Sequence, residues 1–330
     1  MILSRTPYRI SIFGGSTDFP AWYTKHGGEV LGFAINRYCW ISLRKLPPFF
    51  AHKHRIVWSK VELVKHWHEV EHPVVRVVMD MGGLGHGVEL HHDGDLPARS
   101  GIGSSSSFTV GLLHAIHAFK GHMVTKQTLA NEAIHIEREV LGENVGSQDQ
   151  IWAAYGGFNR ITFRRDGGYE VNPLILPEGR REELEGSLML FFTGLSRYSS
   201  EVAGRVSANL QAKERHLKAM QAMVGEAVGI LQSQESVNEI GKLLHEGWRL
   251  KKELAEGVST PEIDLIYEAG RDAGAVGGKL LGAGGGGFLL FLVPKQAQKA
   301  VRERLSSLIE VSFTIDEDGS KIVIYSPNGF

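Results

Sequence analysis

The 330 residues contain a single cysteine, Cys39, so no disulfide can form within the chain, and its place in an apolar run suits a reducing compartment. Net charge is also nearly absent. Lys plus Arg number 36 against 37 for Asp plus Glu, a formal charge of -1 that gives no electrostatic case for nucleic acid or an anionic membrane as partner. No apolar stretch is long enough to span a bilayer and no signal-like segment opens the chain, so a cytoplasmic location is expected. His52, His54, His66, His68 and His72 stand without Cys partners or an HExxH pattern, so packed or solvated rings compete with a zinc site. Trp58 and Trp67 beside them either pack a core or wall a pocket for an aromatic base.

Glycine, by contrast, is abundant, and its 40 residues cluster at 14–15, 82–85, 156–157 and 282–287, so several loops need unusual backbone or close ligand approach. The length favours two cores. The central stretch runs from a short strand at Gly87–His92 through Leu96-Pro97-Ala98-Arg99-Ser100-Gly101-Ile102-Gly103 and four serines into a helix. In that helix Phe108, Leu112, Ile116 and Phe119 recur at helical spacing. A helix start presents free N–H groups and the positive end of its dipole, Gly101 and Gly103 admit close approach, and Ser104 to Ser107 add hydroxyls. The stretch reads as a phosphate-binding turn without a Walker lysine, or as an ordinary helix start capped by Ser.

Upstream, a strand over Tyr8–Phe13 runs into Gly14-Gly15-Ser16-Thr17-Asp18, with Arg5 and Arg9 flanking. Such a loop sets a guanidinium for phosphate and a carboxylate for sugar hydroxyls in one cleft, or ends a strand with a solvated ion pair. Val30–Leu46 reads as one or two buried strands. Thr125 caps a helix through Leu129, Ala133, Ile136 and Val140 that Gly142 stops, with Glu137 at the edge of its apolar face. Asp149, between Gln148 and Gln150 and ahead of Ile151 and Trp152, suits a general base, a ligand carboxylate or a helix cap. A hairpin is expected over 158–176 around Asp166-Gly167-Gly168, and the charged patch from Glu178 to Glu185 divides the chain into domains 1–183 and 184–330.

In the second half, Ser187–Phe192 is a strand, and Ser196, Arg197 and Ser199 after it hold an anion or cap the next helix. Helices follow to Gly257, and Thr260-Pro261 opens another with cap and N1 proline in order. Gly282, Gly284 and Gly287 match GxGxxG, yet they precede a strand, which excludes a dinucleotide fingerprint and leaves a second loop closing over phosphates. A helix over Gln296–Leu308 and two last strands, Val311–Thr314 and Lys321–Tyr325, complete a ferredoxin-like α+β pattern with an enlarged helical insertion.

Three loops in this order, Thr6 to Asp18, Leu96 to Ser107 and Lys279 to Gly287, resemble the three motifs of the GHMP kinase superfamily over nearly the whole chain. The resemblance implies a two-domain α+β fold, with an N-terminal domain like ribosomal protein S5 domain 2 and a ferredoxin-like C-terminal domain. Thr-Pro-Tyr-Arg-Ile-Ser at 6–11, Glu137 to Gly142 with Gly146 to Gln150, and Phe192 to Arg197 are most similar to the D-glycero-D-manno-heptose 7-phosphate kinases. It implies transfer of the γ-phosphoryl of ATP to an anomeric hydroxyl, with Asp149 as catalytic aspartate and Arg9 facing it. Pro97, Arg99, Ser100, Gly101, Ile102, Gly103, Ser104, Ser105, Ser106, Gly284 and Gly285 would hold ATP, and Ser105 and Glu137 would hold Mg2+. Asp18, Ser16, Thr17, Gly285 and Arg197 would hold the sugar phosphate. A galactokinase-like kinase of another sugar and a non-catalytic ATP and sugar sensor stay open, and the Ser-Thr-Asp18 loop speaks against a decarboxylase. Partners are small molecules, and the oligomeric state is not legible.

Overall fold

Residues Gly28–Lys45 form one strand of 18 residues, far longer than is usual, in which branched and aromatic side chains recur from Val30 to Leu43. The computed structural model, which describes residues 1–195 and 199–327, builds its first sheet on this strand. In chain order the elements are β1 (Ile2–Phe13), α1 (Pro20–His26), β2 (Gly28–Lys45), β3 (His54–Val57), β4 (Val61–Val64), α2 (Pro73–Gly82) and β5 (Val88–Gly94). Then come α3 (Ser104–Phe119), α4 (Lys126–His135), α5 (Gln148–Tyr155), β6 (Phe158–Phe163), β7 (Tyr169–Pro173), α6 (Arg180–Glu185) and β8 (Leu188–Phe192). Helices α7 (Ser199–Asn209), α8 (Glu214–Gln232), α9 (Asn238–Lys252) and α10 (Pro261–Asp272) precede β9 (Gly277–Leu280) and β10 (Phe288–Leu292). The chain ends with α11 (Gln298–Arg304), β11 (Ile309–Val311) and β12 (Lys321–Tyr325).

The first sheet has the order β12-β1-β2-β5-β3-β4, with β6 also on β2 and β7 on β6. Strand β2 pairs with β1 along one edge and splits the other, giving Gly28 to Phe33 to β6 and Cys39 to Lys45 to β5. The second sheet is antiparallel, in the order β11-β8-β10-β9. Strand alternation decides how the two sheets meet. Leu188 and Leu190 of β8, with Phe288, Leu290 and Leu292 of β10, join the large core that contains β1, β2 and α3. Met189, Phe191, Leu289 and Phe291, on the opposite face, pack with Trp248, Ile263 and Tyr267 of α9 and α10. No helix of the described residues is long and apolar enough to cross a membrane.

Several local expectations hold, including the Thr125 cap, the Thr260 cap with Pro261 at the helix start, and the hairpin expected over 158–176, whose second strand ends at Pro173. Others are corrected. The last two strands do not pair with each other, since β11 adds to β8 of the second sheet and β12 returns to β1 of the first. The helix expected over 296–308 is only Gln298–Arg304. The helix expected through Val140 ends at His135 and continues as a π turn over Ile136–Val140. Of the clustered histidines, His68 sits in a short 3-10 turn and His72 caps α2 by accepting from the Val75 N–H.

Candidate active site

Strand β1 ends against the loop before α3, and Arg9 is the side chain that fastens them. Buried to 5% exposure, its guanidinium grips Asp149 with two bonds, Nε to Oδ1 at 2.7 Å and Nη2 to Oδ2 at 2.7 Å. Its Nη1 donates to the Gly101 carbonyl at 2.6 Å, and its own N–H donates to the Ile102 carbonyl at 3.0 Å. One cation therefore ties β1, the glycine-serine loop and the first turn of α5. The two-pronged geometry fixes direction as well as distance, which a lysine could not do.

The loop itself is wound left-handed at Arg99, Gly101 and Gly103, with φ of 58°, 83° and 73°. Gly103 is needed twice over: it starts α3 in a left-handed conformation, and a Cβ there would lie 3.2 Å from Arg9 Cγ and 3.4 Å from Asp149 Oδ2. The free N–H groups of a 16-residue helix thus open directly onto the Arg9–Asp149 pair. Ser104 accepts from the Arg99 N–H, Ser107 is bound to the Pro7 carbonyl, and Ser105 and Pro97 are exposed. Behind the loop, Ser100 accepts the Phe288 N–H, and a Cβ on Gly101 or Gly282 would collide with the other loop's backbone. The phosphate-type loop and the third glycine loop therefore lie in direct contact. The Gly285 N–H is engaged by the Val258 carbonyl, and Gly284 is packed on Val258.

Glu137 lies on the π turn, which sets its carboxylate under the start of α3. It is fully buried, with Ser106 Oγ donating to Oε2 at 2.8 Å and Gln150 Nε2 donating to the same oxygen. Burial pushes its pKa up to about 7, against hydrogen bonds from Thr109, Ser106 and Gln150 that favour the ion. Its Oε1 has no hydrogen-bond partner among the described residues. Ser105, expected beside it, is turned to solvent, and Ser106 makes the contact instead, because successive residues of a helix face different ways.

Asp18 is equally buried and accepts from the Ser16 N–H at 3.1 Å and the Gln148 N–H at 3.3 Å. Burial first, and then the charge of Asp149, raises its pKa to about 6. Gly146 must be glycine for this contact, since its Cβ would sit 1.8 Å from Asp18 Oδ2. Thr17, expected at the substrate, is directed elsewhere: its hydroxyl bridges Gly14 and Glu29 and pins the loop to β2. Arg197 and Ser196 lie outside the described residues.

The sequence reading missed several polar groups around this centre. Arg138, next to Glu137, donates to Ser147 Oγ at 3.2 Å and Tyr23 OH at 3.3 Å, and the Ser147 N–H binds the Asp18 carbonyl. Gln150 carries no chemical pattern of its own, and Lys251 and Lys279 are buried below the loops. A groove of about 580 Å3 between α8 and α9, lined by Met223, Glu226 and Glu239, shares no residue with the centre.

Family models described as GHMP kinases N terminal domain and GHMP kinases C terminal match residues 62–157 and 219–310. The chain is 30% identical to the D-glycero-alpha-D-manno-heptose 7-phosphate kinase of Campylobacter jejuni, over 95% of this chain and 96% of that one. Against the galactokinase of Thermotoga maritima it is 27% identical, over 94% and 95%. Among solved structures it is similar to a D-glycero-D-manno-heptose 1-phosphate kinase from Bacteroides thetaiotaomicron, with TM-score 0.80 and 25% identity over 99% and 100% of the two chains. A mevalonate kinase shares the fold, with TM-score 0.73 and 19% identity over 96% and 99%.

Proposed function

Because the chain belongs to the GHMP kinase family, a phosphotransferase family acting on alcohol groups, we propose that it moves the γ-phosphoryl of ATP to the anomeric hydroxyl of D-glycero-D-manno-heptose 7-phosphate, giving the 1,7-bisphosphate. The observation that carries this reading is the Arg9–Asp149 fork, set at the N-terminus of α3 and within reach of the buried Asp18.

Phosphoryl transfer has a loose transition state with charge spread over the equatorial oxygens, so positioning and cations matter more than covalent chemistry. Asp149 orients the attacking hydroxyl and accepts its proton, while Arg9 holds that carboxylate in place and offsets charge on the phosphoryl group. The N–H groups of Gly103 to Ser105 lie at the start of α3 and receive donor phosphate oxygens. Asp18 and Ser16 take sugar hydroxyls. A magnesium ion fits at Glu137, which keeps one buried oxygen without a partner among the described residues, and the resemblance adds Ser105, whose hydroxyl is turned to solvent at the helix start. Bound there, the ion would neutralise charge between the phosphates. The acceptor's own phosphate needs a cationic seat, for which Arg138, resting on Ser147 and Tyr23, and Arg197 are the candidates. A buried single cysteine accords with work in the cytoplasm.

The likeness to galactokinases supports a second reading, a kinase of a free hexose. ADP release measured across heptose 7-phosphate, hexose 6-phosphates, free hexoses and mevalonate separates the two, with Asp149→Asn as the blank. Turnover confined to sugar phosphates is expected, and turnover on free hexoses alone would replace the first reading by the second. The Asn variant should bind nucleotide nearly as the wild type and turn over about a hundredfold more slowly or worse. Ordinary turnover in that variant removes Asp149 from the mechanism.

A further inference from the structure

Two lysines below the nucleotide loops have no carboxylate partner among the described residues and no part in the chemistry above. Lys279 of β9 is 7% exposed and donates from Nζ to the Ile12 carbonyl at 2.9 Å, two residues before the Gly14-Gly15 turn. Lys251 of α9 is 8% exposed and donates to the carbonyls of Leu280, at 2.9 Å, and Gly282. Arg9 faces both across the same buried space, and its fork is occupied by Asp149 and Gly101. Three basic side chains thus lie near one another in the interior, and Arg9 is the one of them paired with a carboxylate among the described residues.

Their bonds have a consequence for the loops. A peptide group is planar, with its C=O and the next N–H pointing in opposite directions. Lys251 drawing the Gly282 carbonyl inward turns the Ala283 N–H outward, and Arg9 drawing the Gly101 carbonyl inward does the same for the Ile102 N–H. Gly101 and Gly282 touch, so the two peptide groups are neighbours. Backbone N–H groups collected over buried cations form an anion-binding concavity.

We propose that Lys251 and Lys279 are positioning residues for the donor's polyphosphate: Lys251 holds the start of the 282–287 loop and Lys279 holds the end of β1 that leads into Gly14-Gly15, and the anion bound above draws a proton onto the pair. The inference rests on the ATP reading given above. In the free protein, burial, with the nearby charge of Arg9, lowers the Lys279 pKa to about 7, and burial together with Lys279 and Arg9 lowers that of Lys251. A polyphosphate supplies the missing negative charge and reverses that effect. The facing groups are Arg9 from β1, Asp149 from α5 through Arg9, and the two lysines from α9 and β9.

The test is calorimetric titration of the full chain with MgADP at about pH 8, where the terminal phosphate, of second pKa about 6, is already ionised. Repeating it in buffers of different ionisation enthalpy reads the proton count. Wild type should take up roughly 0.5 proton or more per nucleotide, and its dissociation constant should rise by up to about tenfold per pH unit above neutrality. Lys279→Arg, which stays charged, should bind within a few-fold of wild type without that uptake, and Lys279→Met should lose both affinity and uptake. A thermal melt checks that each variant is folded. Should either fail to fold, the wild-type proton count still decides the matter. Nucleotide binding with no proton uptake, or uptake unchanged in Lys279→Arg, overturns this inference and leaves the kinase reading intact. Absence of nucleotide binding overturns both.

Discussion

At the scale of single residues, the most consequential side chain is Glu137, a carboxyl group with no exposure whose pKa is raised from 4.5 to about 7. The native state keeps it protonated over a range in which the unfolded chain does not, so the native state binds more protons and stability falls as pH rises from about 4 to about 7. Glu137→Gln mimics the neutral form. The variant and wild type should match at about pH 4, and the variant should be more stable by about 3 kcal/mol at about pH 8, read from denaturant unfolding. Equal stability at both pH values would mean that the carboxylate stays ionised in the interior. Asp18, raised to about 6 by burial and by Asp149, adds a slope of the same sign that the variant retains. None of this could be read from residue order, because Glu137 stands at the edge of an apolar pattern as many solvated glutamates do.

At the scale of elements, the two glycine loops act as one device, since each fills the space that a side chain on the other would need. Gly282 has φ of 70°, and a Cβ there would lie 2.4 Å from Gly101 Cα, a backbone atom that cannot rotate away. Gly282→Ala should therefore strain or separate the loops at a cost of about 1–3 kcal/mol. We expect nucleotide affinity, followed by equilibrium titration, to drop by about tenfold or more. Unchanged affinity would mean that the donor does not sit on the joined loops. The glycine clusters, the strand before α3 and the caps were legible because each is a local signal with its own residue chemistry. The π turn at Ile136–Val140 was not, because the apolar spacing of Ile136 and Val140 continues a helical pattern through it. That one turn decides which serine meets Glu137.

Across the whole molecule, the chain's end returns to its beginning. Strand β12 pairs with β1, Thr6 Oγ1 and Ser320 Oγ lie 2.8 Å apart, and Arg5 binds Asp318. The edge of β1 over Ile2–Arg5 is thereby covered. Deleting residues 320–330 should leave both cores in place, lower the thermal midpoint by about 5 °C and expose an unpaired strand edge. Scanning fluorimetry and light scattering after gel filtration would read this as a shifted melt and self-association. A truncated protein that melts like the full chain and stays at the same mass would show that β12 contributes nothing. The boundary expected at residue 183 falls within α6, ahead of the second sheet, yet one face of that sheet shares a core with the first. Movement of one half as a free body would have to break that core.

What residue order determined by itself was local: three anion-type loops in sequence, the helix caps, the hairpin, and the pairing of a cation at Arg9 with a carboxylate at Asp149 as a resemblance to a family. Those signals lie within a few residues of one another or in motifs whose backbone demands only glycine or serine can meet. Tertiary structure alone decided the two-pronged geometry in which Arg9 holds Asp149, that Ser106 rather than Ser105 touches Glu137, and that Lys251 and Lys279 lie beneath the loops. It also decided that the final strand leaves its neighbour for β1. The physical reason is common to all four. Alternation and periodicity tell which face of an element avoids water, but the partner of that face, and so the burial and charge of every group upon it, is chosen by packing between distant segments.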